Sequence, residues 1–480
     1  MRLTTPLVIA GTSALLLTAL GPVHAATAVK VGAKCTKAGA TQTVGSQSLV
    51  CTVKGRTRTW QVAAAPVTTA APQTTAASPG STATTAAPVT TVSKAGNPPA
   101  VPGFDGKTIN IGILGNVAGG PFAVGGKALE AGLRSYYSRV NDKGGIAGKY
   151  KINAIFAETN YDPNVGVVKY AELKDKVVMF GQVFGTPLVT AVSPLLTQDN
   201  LVGSPISWDA EWVNKPNLFP NGSTYQGQIL NGIDYFISTL GGAGKTVCSL
   251  SLNTAYGKAG LEGYNFAKGK LNFKPGPSIE VGATDTNMAS AMSTFRSAGC
   301  DAIAITTAGA QATGALVSGA QSGYTPLFFA AAPSFAVEQL TPSTSDLYGK
   351  YFYVAGDTPQ WADPATPGMK QMLDDARKTE PFYVDNVNTG FFAGYAQGIL
   401  VEALLEKAVA NGDLGKDGIK TAMNTLGKVP LMGLFPEYDY VSADKRIAPA
   451  SNNIFRADAS IPGGIAVIKK AYVGSVVFKR

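Results

Sequence analysis

Histidine is nearly absent from this chain of 480 residues; the single one is His24. It stands in a segment with the parts of a secretory leader: Met1-Arg2, an apolar run from Leu7 to Leu20, and Pro22-Val23-His24-Ala25. Cleavage is expected near Ala25, which removes the imidazole with the leader. That excludes Ser-His-Asp and Cys-His catalysis and all His-ligated metal sites, so neither an enzyme nor a cofactor or metal site is expected. Long apolar runs are also lacking. The leader run falls short of the roughly 20 apolar residues a membrane helix needs, and no later stretch replaces it. An exported chain at the cell envelope is expected. The first cysteine, Cys35, follows Gly32-Ala33-Lys34, and a Lys at that place does not make a lipobox, so no lipid anchor is expected.

Acidic residues are missing before Asp105, whereas Arg2, Lys30, Lys34, Lys37, Lys54, Arg56, Arg58 and Lys94 supply +8 of the formal net charge of +9. The rest of the chain is therefore close to neutral. No concentrated basic patch with interleaved aromatics occurs there, so nucleic acid is not an expected partner. The basic arm is either a solvated segment or a contact for an anionic cell-wall polymer.

Cysteine is scarce, but its four copies in an exported chain suggest two disulfides. Cys35 and Cys51 share a small basic module at residues 29–62, too short to have much core, and pair naturally. Within it Leu49 to Val53, a turn at Lys54-Gly55 and Arg56 to Gln61 have the pattern of a β-hairpin. Cys248 and Cys300 stand at the starts of two expected strands. If those strands are neighbours a bridge is open to them; two free buried thiols are the alternative. Residues 63–100 are almost entirely Ala, Thr, Pro, Ser and Val, which cannot bury enough surface to fold and serve as an extended linker.

From Val101 onward, apolar segments alternate between strand and helix character. Thr108 to Leu114 is a buried strand; Leu129, Leu133, Tyr136, Tyr137 and Val140 then recur at helical spacing, ending at Lys143-Gly144-Gly145. Strands are expected at 151–156, 177–180 and 201–204, with helices at 164–174 and 187–198. After a helix at 226–240 a second series follows, with strands at 246–250, 278–281, 301–306 and 327–329 and helices at 257–268, 288–298 and 311–323. The remainder should hold helices at 368–378, 386–410 and 416–426, then mainly strands. Two successive α/β units imply two lobes with mostly parallel sheets, and ligands in such folds bind at the carboxyl ends of the strands.

Phosphate motifs fail. Gly112, Gly115, Gly119 and Gly120 follow the first strand without GxGxxG spacing, and Gly244-Lys245-Thr246 precedes a strand instead of following one. The loop Phe184-Gly185-Thr186-Pro187 joins a strand end to a helix start. Thr186 can cap that helix, whose free N–H groups would cradle a carboxylate; an ordinary capped helix fits equally. Ser207 and Trp208 follow the next strand at the same sheet edge, where Trp208 and Trp212 could instead cover a surface.

Six segments carry a family resemblance: IGILGNVAGGPFAVGG (Ile111 to Gly126), VNDKGGIAG (Val140 to Gly148), GQVFGTPLVTAVSP (Gly181 to Pro194), LNTAYGKAGLEG (Leu252 to Gly263), FRSAGCDAIAIT (Phe295 to Thr306) and the late helix Phe391 to Ala403. In this order they resemble the type I periplasmic binding proteins, in the group of branched-chain amino acid, amide and urea receptors. The cysteine module resembles one on exported actinobacterial proteins. The first resemblance implies a solute receptor with an ABC permease as partner. It also implies two lobes joined by three crossings: residues 101–225 with about 360–430, and 226–359 with about 431–480. It places a ligand carboxylate at Gly185 and Thr186, beside Ser207 and Trp208. Phe122 would reach in from the first Gly-rich loop, Phe184 from its strand end, and Tyr256 and Ala308 from lobe two. Amino acid receptors of the group hold the ligand ammonium with an acid from lobe two. Here the corresponding loops, Thr306 to Gly309 and Phe329 to Ser334, contain none, so only Asp209 or Glu211 could serve, and a ligand with aromatic or uncharged polar groups fits better. A surface sensing or interaction protein that has lost transport is the alternative function.

Overall fold

A computed structural model describes residues 33–35, 41–44, 47–54, 57–62 and 97–479. The leader and the linker up to residue 96 lie outside the described residues. The chain divides into two compact units, Met1–Val89 and Thr90–Arg480. In the first, β1 (Thr41–Val44), β2 (Gln47–Lys54) and β3 (Thr57–Val62) form an antiparallel sheet, so the expected hairpin is present. Cys35 is joined to the buried Cys51.

The second unit holds both lobes. Lobe one is built on β4 (Thr108–Gly115), β5 (Lys151–Glu158), β6 (Met179–Phe184) and β7 (Gly203–Ile206), all parallel in the order β5-β4-β6-β7. Lobe two is built on β8 (Thr246–Leu252), β9 (Lys274–Val281), β10 (Ala302–Thr306), β11 (Leu327–Ala331) and β12 (Phe352–Gly356). A short pair, β13 (Gly427–Lys428) with β14 (Asp439–Tyr440), precedes β15 (Asn452–Ala457) and β16 (Ile465–Tyr472). The last two add antiparallel to lobe two, giving the order β16-β15-β12-β11-β10-β8-β9. This is the α/β two-lobed fold expected, with β8 beside β10, and Cys248 is joined to Cys300.

Helices cover both faces of each sheet. In lobe one, α1 (Ala123–Asp142) packs on the Ile109, Ile111 and Ile113 face, while α2 (Pro163–Leu173) and α3 (Thr186–Asp199) cover the face carrying Leu114 and Phe180. In lobe two, α4 (Tyr225–Thr239) and α5 (Ala255–Ala267) lie on one face. The other carries α6 (Ala289–Ser297), α7 (Gly309–Gln321) and α8 (Ser345–Tyr351). The chain then returns to lobe one with α9 (Met369–Thr379), α10 (Phe382–Asp385), α11 (Thr389–Ala410) and α12 (Lys416–Asn424). Helix α11 docks on α1 at two glycines: a Cβ at Gly132 would strike the Phe391 carbonyl, and one at Gly394 the Leu129 carbonyl. Among the described residues no helix is long and apolar enough to cross a membrane.

Three details differ from expectation. Helix α8 and strand β12 were not anticipated, because the helix passes into the strand at Phe352 with no Gly or Pro between them. Strand β6 runs on to Phe184, buried throughout. The segment from 431, expected in lobe two, buries Leu431, Leu434, Phe435, Tyr438 and Tyr440 in the core of lobe one. It is anchored there by the buried Arg446, whose guanidinium donates to the Leu218 and Val441 carbonyls and to Asn424. The third crossing therefore begins after Arg446.

Candidate functional site

Three chain segments connect the lobes, at residues 220–224, 357–360 and 447–451. One carboxylate ties their ends together. Asp357 accepts from the Ser223 N–H at 2.8 Å and from Asn452 Nδ2 at 3.0 Å, and Asn452 Nδ2 also donates to Ser223 Oγ. Burial pushes the Asp357 carboxyl up to about 6, against the lowering effect of these hydrogen bonds.

Above this knot, at the carboxyl ends of the strands, the lobes flank an open-sided cavity of about 680 Å³. Its lobe-one wall is built from loop geometry. Glu158, ending β5, accepts from the Val117 and Ala118 N–H groups and so fixes the Gly-rich loop that delivers Phe122 to the start of α1. After β5, Asn160 and Tyr161 take positive φ values of 52° and 60°, a conformation that non-glycine residues hold only when surroundings impose it. The surroundings are definite: Thr159 Oγ1 donates to the Gly115 carbonyl, and Asp162 caps α2. Tyr161 is thereby placed against Phe122 and Phe184, with ring centroids 5.1 and 6.0 Å away.

Gly185 precedes α3 with φ of 97°, and a Cβ there would run into the Tyr161 ring. The cap position is thus Gly185, one residue earlier than expected, and Thr186 does not cap the helix with its side chain. Its hydroxyl instead lies 2.8 Å from Ser207 Oγ, which accepts from Trp212 Nε1 at 2.8 Å. The Tyr225 hydroxyl, from the first turn of α4, bonds to both Thr186 and Ser207, and burial raises its pKa far above the ordinary phenol value. Thr186, Ser207 and Ala308 are buried behind the cavity wall, and Trp212 is core, not surface cover. The Tyr161 ring thus stands where a Cβ of residue 185 would lie, and the Thr186 hydroxyl is engaged with Ser207.

Phe122, Phe184, Gly185, Trp208 and Tyr256 do line the cavity. Tyr256 of lobe two stands edge-on to Phe122 at 5.7 Å and to Tyr225 at 4.7 Å, so the lobes meet through aromatic rings. Trp208 packs against Tyr225 at 5.9 Å and against Phe435 at 6.1 Å. A second bridge between lobes runs from Asn388 Nδ2, at the start of α11, to both oxygens of Glu338 at 3.1 and 3.3 Å. Asp209 and Glu211 do not line the cavity: Asp209 accepts from Gln226 and the Glu211 N–H, and Glu211 pairs with Lys215. Sequence reasoning missed Tyr161, Tyr225, Phe435, Glu338 and Asp357. Tyr161 alone had a local signal, standing between a strand end and the helix start Asp162-Pro163. Among the described residues no cluster of His, Cys, Asp or Glu is arranged to hold a metal.

The Periplasmic binding protein family model matches residues 108–459. The chain belongs to that family. Its solved relatives agree with the assignment. A fatty acid ABC transporter substrate-binding protein from Thermomonospora curvata is 25% identical, with a TM-score of 0.73 over 79% of this chain and 95% of that one. A branched-chain amino acid ABC transporter protein from Thermus thermophilus with bound valine is 16% identical, with a TM-score of 0.68 over 77% and 97%. A branched-chain amino acid transporter substrate-binding protein from Streptococcus pneumoniae in complex with isoleucine is also 16% identical, with a TM-score of 0.63 over 76% and 100%. No curated protein matches. Periplasmic binding proteins of this kind are ligand-binding receptors.

Proposed function

We propose that the chain is the extracytoplasmic solute receptor of an ABC importer, closing its two lobes on one small organic molecule and presenting it to a membrane permease. The observation that carries this reading is the aromatic cavity at the strand ends, bounded by both lobes and floored by the Asp357 knot of the three connecting segments. A hinge of short crossings with a ligand between rigid lobes supports closure on binding. At about 680 Å³ the cavity has the size of drug-like ligand sites, about 300–1,000 Å³. Its lining supports a more apolar molecule than a free amino acid, and the relative named a fatty acid ABC transporter substrate-binding protein is in keeping with that. The leader-like segment supports export, and the basic arm supports contact with an anionic cell-wall polymer.

The test is a thermal-shift screen of the full chain against amino acids, amides, ureas, polyamines, aromatic acids, small sugars and apolar amines. A ligand bound only by the folded state at free concentration c raises apparent stability by RT ln(1 + c/Kd). A rise that grows with the logarithm of concentration for one class is expected. No rise across the library would overturn the receptor reading and favour an envelope interaction protein.

A further inference from the structure

Which end of a ligand faces which wall is decided by hydrogen-bond supply. Among the residues lining the cavity there is no Lys, Arg or His, while Glu338 and Asp357 are both carboxylates. Several neutral donors of the wall already have partners in the protein. Trp208 Nε1 donates to Asn221 Oδ1 at 3.0 Å, Gln228 Nε2 to Ser223 Oγ at 3.2 Å, and Gln339 Nε2 to the Gly309 carbonyl at 2.8 Å. The Tyr256 hydroxyl is shared with Ser334 at 3.1 Å and that of Tyr225 with Thr186 and Ser207. A carboxylate has about four lone-pair sites, and the protein donors to Asp357 are the Ser223 N–H and Asn452 Nδ2. The wall thus offers a ligand two carboxylates and uncharged hydroxyl donors such as Tyr161 and Thr389, with no cation.

The apolar side of the cavity continues into lobe two. Phe335, Val354, Phe455 and Ile465 line it and belong to the buried core between the sheet and α7 and α8. A chain or ring system entering here exchanges water for hydrocarbon contact. An anionic head brought along would be desolvated beside two carboxylates with no cation to offset it.

We propose, resting on the receptor reading above, that the ligand is an apolar molecule whose polar end donates hydrogen bonds and carries no negative charge, with an amine as the best fit and Asp357 as its partner. This separates the chain from receptors of carboxylates, fatty acids and zwitterionic amino acids alike.

Three probes of equal chain length test it by calorimetric titration into the full chain at neutral pH: decylamine, decanamide and decanoate. Decylamine should bind one to one and at least about tenfold tighter than decanoate, as expected for a charge-assisted hydrogen bond, with decanamide between. The net charge of +9 would favour the anion if binding were nonspecific. Asp357→Asn should erase the advantage of decylamine over decanamide, while Glu338→Gln, away from the hinge knot, should keep it; an unchanged urea midpoint for each variant shows that lost binding is not lost folding. Decanoate binding as tightly as decylamine overturns the proposal and leaves the receptor reading standing. So does a hit from the thermal-shift library with an anionic or zwitterionic solute and silence from all three probes. Silence from both experiments overturns both readings.

Discussion

The two walls of the cleft are made of similar elements, strand ends feeding helix starts, yet they treat polar groups in opposite ways. On lobe one the start of α3 is covered by Tyr161, and its Thr186 hydroxyl is absorbed by Ser207, Trp212 and Tyr225. On lobe two and at the hinge, Glu338 and Asp357 remain at the cavity surface with acceptor capacity. A helix start at a strand end is thus not a ligand site by itself; what the neighbouring chain lays over it decides. Here the neighbours take up the Thr186 hydroxyl, while Phe122, Phe184, Gly185 and Trp208 stay on the cavity wall.

The largest way to separate the lobes is covalent. Only lobe two carries a disulfide among the described residues of the two lobes, and Cys248–Cys300 spans 52 residues. Replacing both by Ala should cost about 4 kcal/mol by loop entropy, read as a lowered midpoint in urea, and lobe one should keep its amide protection in hydrogen exchange while lobe two loses some. Next, Gly185→Ala forces a Cβ into Tyr161 at a φ of 97°. A loss of about 3 kcal/mol is expected, together with weaker binding of apolar ligands, because Tyr161 must leave the wall. A loss near zero would mean that Tyr161 does not seal the helix start.

The hinge supplies a pH signature. The folded pKa of Asp357 is raised from 3.8 to about 6, so the folded state holds this proton more tightly than the unfolded chain. Below about pH 4 both states are protonated and the group costs nothing. As pH rises from about 4 through 6, stability is lost, and above 6 the full cost of burying the charge, roughly 3 kcal/mol, is present. Asp357→Asn should therefore gain on the wild type across that window. Exposed carboxylates such as Asp105 and Asp142, whose pKa values are lowered by hydrogen bonds to the backbone and to Lys378, act oppositely in both proteins and cancel in the difference. The smallest effect concerns the rim. Asn388→Ala removes both the cap of α11 and the Glu338 bridge. A loss of about 1 kcal/mol is expected, with ligand dissociation several-fold faster by stopped-flow fluorescence and association nearly unchanged.

Much of the scaffold was legible because βα alternation is written in local periodicity. The strands from Thr108 to Ala331 fall within a few residues of their expected places, and the Cys248–Cys300 pairing followed once β8 and β10 were neighbours. What had no local signature was missed: a helix running straight into β12, and Leu431 to Tyr440, whose burial depends on a distant core. The site divides the same way. Phe122, Gly185, Trp208 and Tyr256 sit at strand-end motifs and reach the cavity. Thr186 and Ser207 sit at such motifs too, but Tyr225, about 40 and 20 residues further on, lies against them. Asp357 gains its role only when Ser223 and Asn452 converge on it, which no spacing along the chain announces.

The most direct test is native mass spectrometry of the full chain purified from its own source, with the bound molecule released by unfolding and identified. One apolar, donor-headed molecule without a carboxylate, present once per chain, is the expected finding. A free amino acid or a fatty carboxylate in that place would contradict the assignment of recognition to the Asp357 end of the cleft.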